Sequence, residues 1–488
     1  MEFPDFKAKR VRTIKLFIGY FLMVILVGLA TLILVYLAQG YGYDSNKGVM
    51  QNGLVFIDSK PSAASIYLNS TLKDKTNSRL VLGEGSYGVT LKKDKYRDWD
   101  KTFNLEGGTV LYFLYPKLFP VDIPVGITRV FPQTPAWASQ SPDRRWLVIQ
   151  QTTDSPVLTI VDLQNPNDDP VLYTIPAGQL ASVNAPMSPL EWSDDNKHLL
   201  LLQKLPDGTS AYIVIDRSNT DQTVNVSAKL NITSTVSLTL MDKKYDKYYL
   251  LDSSTGELKT ADLKNGVGSM LVAGVVAYKS YADNLIFYVT YQGAESDKAQ
   301  VRVLKDKKDN YLMQDLPRDA SARYLLDIAQ FDHNWYYISA STSGKNVKVY
   351  RNPLSRSNPG NTKPISSQMS LNLDNPQFVS FSDNTRFICM QSGKQFVVYD
   401  GEQNRVFRYT SPLEIATATQ AKWMDGHRLT VVIDNKVQVF DFDGTNLQAL
   451  TSSRPEFIPY FDRDYEYIYT LMPQADGKTG FESGQLIL

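Results

Sequence analysis

Between residues 121 and 488 the chain repeats one local order eight times: an aromatic or apolar anchor, a polar turn rich in Asp and Asn, then a strongly apolar run. The clearest copies are Trp192-Ser193-Asp194-Asp195-Asn196-Lys197-His198-Leu199-Leu200-Leu201, Phe381-Ser382-Asp383-Asn384-Thr385-Arg386-Phe387-Ile388-Cys389 and Trp423-Met424-Asp425-Gly426-His427-Arg428-Leu429-Thr430-Val431-Val432. Ser141-Pro142-Asp143-Arg144-Arg145-Trp146-Leu147-Val148-Ile149 is a fourth, with Trp137 or Ala138 as its anchor, and weaker copies centre on Leu240, Tyr281, Phe331 and Phe461. A second apolar run ending on an acidic turn usually follows, as in Tyr212-Ile213-Val214-Ile215-Asp216 and Gln395-Phe396-Val397-Val398-Tyr399-Asp400. The anchors Trp137, Trp192, Leu240, Tyr281, Phe331, Phe381, Trp423 and Phe461 stand 38 to 55 residues apart, room for four short strands per repeat.

Such units stack on copies of themselves, and the spacing is that of a β-propeller over residues 121–488. An array of β-sandwiches would supply the strands but would not need this unit so often. Eight anchors favour eight blades over seven, the lower number following if a weak copy is an insertion. The last copy has space for about three strands before Leu488, so a strand around Val125 to Phe131 is expected to complete it and remove the exposed edges. The unit resembles the TolB-type, WD-repeat-like propeller, whose usual run is an aromatic, Ser-Pro-Asp-Gly and an apolar strand. Ser141-Pro142-Asp143 carries that resemblance, with Arg144 in place of the glycine.

Residues 53–120 have a different texture. Leu54-Val55-Phe56-Ile57, Ser65-Ile66-Tyr67-Leu68-Asn69 and Gly85-Ser86-Tyr87-Gly88-Val89-Thr90-Leu91 alternate with period two between Pro, Ser, Gly and Asn clusters, the pattern of a small β-sandwich. Pro61 fixes its own φ and lacks a donor, so it should stop the first strand, and the small residues Ser62, Ala63 and Ala64 allow a tight corner. This stretch resembles a PEGA domain: Pro61-Ser62-Ala63-Ala64 matches the corner, Gly85-Ser86-Tyr87-Gly88-Val89 the later strand, and Lys95-Tyr96 the turn near the usual tyrosine. Ala63 stands where the family usually has glycine, which argues against a positive φ there and leaves the strand order unaffected. The resemblance implies an extracytoplasmic β module without catalytic residues, a membrane-proximal spacer in preference to a wall or glycan contact. Asn69, Asn225 and Asn231 head glycosylation sequons.

Residues 16–38, bounded by Leu16 and Ala38, contain no charge, and about 20 helical residues span the roughly 30 Å hydrocarbon core. This reads as a transmembrane helix and signal-anchor. Lys7, Lys9, Arg10, Arg12 and Lys15 precede it, which places residues 1–15 as a cytoplasmic stub. A cleaved signal peptide competes, with Ala38 and Gly40 imitating a cleavage site, but its apolar part is normally only about 7–15 residues. Residues 39–52 are then a linker, and everything beyond is an extracytoplasmic ectodomain of a bacterial-type, single-pass cell-surface protein in the cell membrane.

Chemistry is sparse. The chain has no Gly-x-Ser-x-Gly elbow, His-Glu-x-x-His helix, phosphate-binding loop or dinucleotide fingerprint. Cys389 is the sole cysteine, in a buried-strand context, and His198, His333 and His427 fall in equivalent turns as packing residues. Asp441-Phe442-Asp443-Gly444 and Asp462-Arg463-Asp464 invite a calcium reading, but the acidic series stops before six oxygens are supplied, so both read as turns. No catalytic, cofactor or metal residue is assigned. Lys plus Arg equals Asp plus Glu at 51 each, which argues against a nucleic-acid partner. The zero is a cancellation: +3 before the helix, +3 over residues 44–120 and −6 beyond. The expected function is non-enzymatic protein binding, a scaffold whose propeller engages an envelope protein or cell-wall glycan. The alternatives are a carboxylate-dependent glycan hydrolase or lyase in the propeller channel, marked by converging acids, an envelope assembly factor, or a signalling receptor with a separate output partner.

Overall fold

The computed structural model describes residues 6–38, 40–44, 48–282 and 284–488. The start of the stub, parts of the 39–52 segment and Asp283 of the Tyr281 repeat therefore lie outside the described residues. The first element is a helix, Phe6–Ala38. It begins ten residues before Leu16 because half of the preceding stretch is Lys or Arg, good helix formers, and it contains neither Gly nor Pro. Its stretch from Arg10 to Ala38 is long and apolar enough to cross a bilayer, with none of the window buried by protein. The helix is a candidate membrane anchor or signal sequence.

The chain divides into two compact units, the first comprising residues 1–122 and the second 123–486. In the first, two four-stranded sheets enclose one core. One sheet joins Tyr41–Asp44, Gly48–Ile57, Ser78–Gly83 and Val110–Phe113, and the other joins Thr71–Lys75, Ser65–Leu68, Gly85–Lys92 and Trp99–Leu105. Val55, Ile57, Ile66, Leu68, Val89, Leu91 and Trp99 meet between them, the alternate positions of the period-two runs.

Two expectations change here. The linker over residues 39–52 is instead largely strand: Tyr41–Asp44 pairs antiparallel with Gly48–Ile57, Tyr41 opposite Gln51. Its glycines and polar residues imitate a loop by composition, but backbone pairing makes them strand, with Gly42 beside the Asn52 side chain. Ala63 also adopts φ +61, in the left-handed region, so the corner keeps the backbone that glycine would give it. Side chains hold it: the Ser59 hydroxyl donates to Pro61 O at 2.6 Å and lies 2.7 Å from Thr76 Oγ1, which accepts Ala64 N at 2.9 Å. The Lys60–Pro61 peptide is cis.

The second unit contains eight four-stranded antiparallel sheets among the described residues. Sheet 1 comprises Trp137–Gln140, Trp146–Gln150, Val157–Asp162 and Val171–Thr174. Sheets 2 to 7 follow in chain order over residues 187–225, 236–272, 275–317, 324–372, 378–410 and 422–452. Sheet 8 takes Tyr460–Phe461, Tyr467–Pro473 and Thr479–Gln485 from the end of the chain and Val125–Phe131 from the start of the unit. The expected closing strand is therefore in place.

Both faces of the middle strands are buried, which is why they read as unbroken apolar runs. Leu147 and Ile149 pack with sheet 8 while Val148 packs with sheet 2. Leu199 and Leu201 turn toward sheet 1 and Leu200 toward sheet 3. Ile286 and Tyr288 face sheet 3, and Phe287 and Val289 face sheet 5. Sheet 6 stacks Phe387 on Phe442 of sheet 7, ring centroids 4.1 Å apart. Face-to-face packing of successive sheets, with sheet 8 returning to sheet 1, is the ring of a β-propeller.

Candidate functional site

The turn joining the first two strands of each sheet is built from the polar part of the repeat. In sheet 1 Ser141 Oγ donates to Asp143 Oδ1 at 2.5 Å and accepts Trp146 N at 2.9 Å, while Ser141 N donates to Trp146 O at 2.8 Å. Sheet 6 repeats this with Ser382, Asn384 and Phe387. Sheet 2 uses Ser193 and Asp195, whose Oδ1 accepts Lys197 N at 2.8 Å and His198 N at 3.1 Å. The acidic and amide residues of the repeat are thus turn acceptors, satisfying backbone donors that the bend would orphan.

These turns hold one residue in the left-handed region: Arg144, Asn196, Thr385 and Tyr465, with φ between 57 and 61. All four carry a side chain where glycine is the easy choice, and each reaches a neighbouring turn or strand. Asn196 Oδ1 accepts Asp143 N at 2.9 Å, and Thr385 Oγ1 donates to Gln330 O at 2.7 Å. Arg144 reaches furthest. Its Nη2 pairs with Asp383 of sheet 6 and donates to Met424 O of sheet 7 at 3.0 Å, and its guanidinium lies 4.6 Å from the ring centroid of Tyr465 of sheet 8. Tyr465 OH in turn donates to Asp383 Oδ2 at 3.4 Å. Sheets 3 and 5 close instead with two-residue turns, Asp242-Lys243 and Asp332-His333, both residues of each at positive φ.

The anchors tie the innermost strands together. Trp192 Nε1 donates to Ser139 Oγ at 2.9 Å and Trp423 Nε1 to Ser380 Oγ at 3.0 Å, the same link made twice around the ring. Phe331, Phe381 and Phe461 likewise end their first strands. Trp137 does not: it begins its strand, and Gln140 occupies the equivalent place, opposite Leu147 as Trp192 is opposite Leu199. Gln140 Nε2 donates to Phe461 O at 2.7 Å, closing sheet 1 onto sheet 8. Trp137 Nε1 donates to Met187 O at 2.9 Å. The indole is the strongest apolar signal in that stretch and draws the register three residues early.

Between the first strands of sheets 1, 7 and 8 and the Asp383 turn lies a cavity of about 600 Å³. Its charged lining is Arg144, Lys422 and Asp383. Partial desolvation pushes the Asp383 carboxyl above its usual range although its side chain is 43% exposed, with Arg144 opposing, and Lys422 is exposed. Elsewhere near the first strands, burial raises Asp327 against Lys279, 3.4 Å away. Burial also disfavours the charged form of Asp425, but Arg428 at 2.6 Å and His427 N outweigh it and hold the group low.

The remaining chemistry-bearing residues are occupied structurally. His198 stacks on Tyr245 at 3.7 Å, with Nδ1 2.6 Å from Asp195 Oδ2. Burial drives the His427 imidazole down to about 4, and it drives the Cys389 thiol up to about 12. His333 supplies a left-handed turn position. Asp443 Oδ1 accepts the Thr445 hydroxyl at 2.7 Å, and Asp462 Oδ1 accepts Tyr467 N at 2.8 Å, so both acidic runs are used as turns. No cluster of three His, Cys, Asp or Glu suited to a metal occurs among the described residues. The sequon residues Asn69 and Asn225 accept Gly88 N and Ala228 N. In the first unit Tyr87 OH donates to Gly83 O at 2.8 Å beside Gly85, which has φ +153.

Residues 52–116 match the PEGA domain. No curated protein matches the chain. Among solved structures, the dihydro-heme d1 dehydrogenase NirN in complex with DHE is 14% identical, with 75% of this chain and 71% of that one covered at a TM-score of 0.40. Hsv2 of Kluyveromyces lactis is 10% identical over 64% of this chain and 93% of its own, TM-score 0.38. A eukaryotic initiation factor is 10% identical over 66% and 89%, TM-score 0.35.

Proposed function

We propose that this chain is a single-pass membrane protein with its N-terminus inside, and that its exported propeller binds an envelope protein or glycan without catalysis. The observation that carries the reading is the face formed by the first turns of sheets 6, 7, 8, 1 and 2. There Arg144, which lines the cavity, ties the first turn of sheet 1 to sheets 6, 7 and 8, and Asn196 ties sheet 2 to sheet 1, giving a rigid concave surface of the kind that recognises a ligand without rearranging. Three partly or fully buried carboxylates near the first strands are engaged by cations, Asp383 by Arg144, Asp327 by Lys279 and Asp425 by Arg428, while Asp462 and Glu482, which burial also raises, accept hydrogen bonds from Tyr467 N and Gln474 Nε2. The PEGA domain serves as the membrane-proximal spacer, and no nucleic acid is involved.

Affinity capture from envelopes with the detergent-solubilised full chain, comparing proteins with wall glycans, tests the binding. An enriched component retained through washing is the expected result. Turnover of a glycan by the same preparation would replace the reading with the hydrolase or lyase. Protease treatment of intact cells tests the orientation: the ectodomain should be released, and cleavage of an N-terminal tag in its place would invert the topology.

A further inference from the structure

A sheet packed on one side only alternates apolar and polar residues along its strands. In the first unit, the sheet that carries Gly48–Ile57, Ser78–Gly83 and Val110–Phe113 does not alternate where these three strands pair. Val55, Ile57, Leu80, Leu111 and Phe113 pack on the core, and the residues between them are apolar as well. Leu54 stands opposite Val81 on one side and Val110 on the other, and Phe56 stands opposite Arg79 and Tyr112. Paired residues share a face, so Leu54, Phe56, Val81, Val110 and Tyr112 form one outer patch, with Arg79 the single charge among them. Phe56 stacks on Tyr112 with ring centroids 5.1 Å apart. Val81 is 59% exposed, Val110 41% and Tyr112 55%, and Leu114, the next outward position, is 57% exposed.

The attachment of the helix says what covers this patch. Asn52 N donates to Gly40 O at 2.7 Å and Asn52 O accepts Gly108 N at 3.0 Å, while Gly40 N donates to Leu37 O in the last turn of the helix. The helix therefore joins the sheet beside Asn52 and Gly108, two residues before Leu54 and two before Val110. At about 3.3 Å per residue, the row of Leu54, Val81 and Val110 lies about 7 Å along the strands from the helix exit. The headgroup layer outside the hydrocarbon core is about 5–7 Å deep on each side, so a helix that spans the bilayer to Ala38 brings this row within the depth of that layer. Tyr36 of the last helical turn meets Tyr41 edge to face at 5.1 Å, and tyrosine is enriched at membrane interfaces. The inner face of the sheet is occupied by the other sheet, so the outer face is the one that can lie against lipid. Arg79 and the +3 charge of residues 44–120 complement an anionic surface.

We propose that the outer face of this sheet rests on the bilayer, with Leu54, Val81, Val110 and Tyr112 in the lipid headgroup layer. The PEGA domain is then a platform laid against the membrane. The proposal rests on the reading of the helix as a membrane anchor and adds which surface of the first unit meets the lipid.

Spin labels on single introduced cysteines test it, using the full chain reconstituted in vesicles of phosphatidylcholine and phosphatidylglycerol. The native Cys389 is buried, and the unmodified chain measures any label it takes. Collisions with oxygen, which concentrates in lipid, are compared with collisions with a water-soluble nickel chelate. At Val81→Cys and Tyr112→Cys the oxygen-to-nickel ratio should exceed several-fold that at Lys73→Cys, on an exposed strand of the other sheet. Leu26→Cys, within the membrane-spanning stretch of the helix, reports the anchor itself. A label at Leu114→Cys should lose its lipid contact in a Val81→Asp, Tyr112→Asp background, because buried charge is costly, while the melting temperature stays close to wild type because neither residue is in the core. Ratios at Val81 and Tyr112 equal to that at Lys73, with Leu26 in lipid, overturn the proposal and leave the anchor standing. Shielding of both sites from both reagents also overturns it, since the second unit or a second copy then covers the face. An unchanged Leu114 ratio in the aspartate background overturns it too. A Leu26 label open to the nickel chelate overturns the anchor and the proposal together.

Discussion

Arg144 combines a backbone conformation that favours glycine with a side chain that links four sheets, so its substitutions separate the two effects. Its left-handed φ of +61 costs any residue with a Cβ about 1 kcal/mol. Against that cost stand three contacts. The ion pair with Asp383, at 20% and 43% side-chain exposure, contributes about 0.5–1 kcal/mol. The charge-assisted bond to Met424 O contributes about 1.5 kcal/mol, and the contact with the Tyr465 ring about 0.5–1 kcal/mol. Arg144→Ala loses all three and keeps the strain, for a cost of about 3 kcal/mol. Arg144→Gly loses the same contacts but relieves the strain, for about 2 kcal/mol. At about 2.1 cal/mol/K of unfolding entropy per residue, the roughly 360 residues of the second unit convert 1 kcal/mol into about 1.3 °C.

Scanning calorimetry of the full chain should therefore rank wild type above Arg144→Gly, and Arg144→Gly above Arg144→Ala, with the last about 4 °C below wild type. The order of the two variants is the informative part, since alanine is ordinarily the more stabilising. Raising salt to about 1 M, where the screening length falls to about 3 Å, should narrow the gap between wild type and alanine and leave the gap between alanine and glycine alone. A double-mutant cycle with Asp383→Asn should return a coupling of about 1 kcal/mol. Alanine melting at or above glycine would refute the strain argument; no shift in either variant would refute the bridge.

Three further outcomes follow from the same geometry. Ala63→Gly should stabilise the first unit by about 0.5–1 kcal/mol, because Ala63 is exposed and held at positive φ; chemical denaturation followed in that unit reads it. Thr76→Val should destabilise it by about 1–3 kcal/mol, since Ala64 N loses its acceptor and the Ser59 hydroxyl keeps only its bond to Pro61 O, and Thr76→Ser should recover most of the loss. Burial holds His427 at about 4 against about 6.5 when unfolded, so its contribution is complete above about pH 6.5 and falls between there and pH 4, by up to about 1.4 kcal/mol per pH unit and roughly half that for its partial exposure. Melting temperatures from pH 7.5 to 4.5 should decline less in His427→Phe, whose ring suits the Phe387 and Phe442 neighbours; Asp195, held at about 2, loses stability only below about pH 3.8 and lies outside this window.

The repeat was legible because its middle strands are buried on both faces. Val148 and Leu200 are as apolar as Leu147 and Leu199, so each blade announces itself without alternation. The closing strand followed from arithmetic on the last copy. Weak copies were weak for a physical reason: a two-residue turn such as Asp242-Lys243 needs only residues tolerant of positive φ, so the Ser-x-Asp signature has no function there. Gln140 was missed because an amide can fill an anchor position when it hydrogen-bonds into the next sheet. The hairpin at Tyr41 was missed because backbone pairing, with little apolar burial, holds it. The cavity was out of reach altogether, since Arg144 and Asp383 meet across 239 residues of sequence.

The left-handed turn position shows why departures from the repeat matter more than its matches. Glycine at the positions of Arg144, Thr385 and Tyr465 would remove about 1 kcal/mol of strain apiece, and less at Asn196, since asparagine tolerates this region. The fold retains side chains at all four, and each makes an inter-sheet contact that glycine could not. A link between neighbouring sheets resists their relative motion directly, whereas the apolar packing behind it is non-directional. Local strain is thereby exchanged for fixed spacing of the first turns, of which those of sheets 1 and 6 line the cavity. A binding surface needs that fixity, because side chains already ordered lose little entropy when a ligand arrives. Restoring glycine at these positions should therefore leave the propeller folded and loosen its rim, so the effect on binding should exceed the effect on melting temperature.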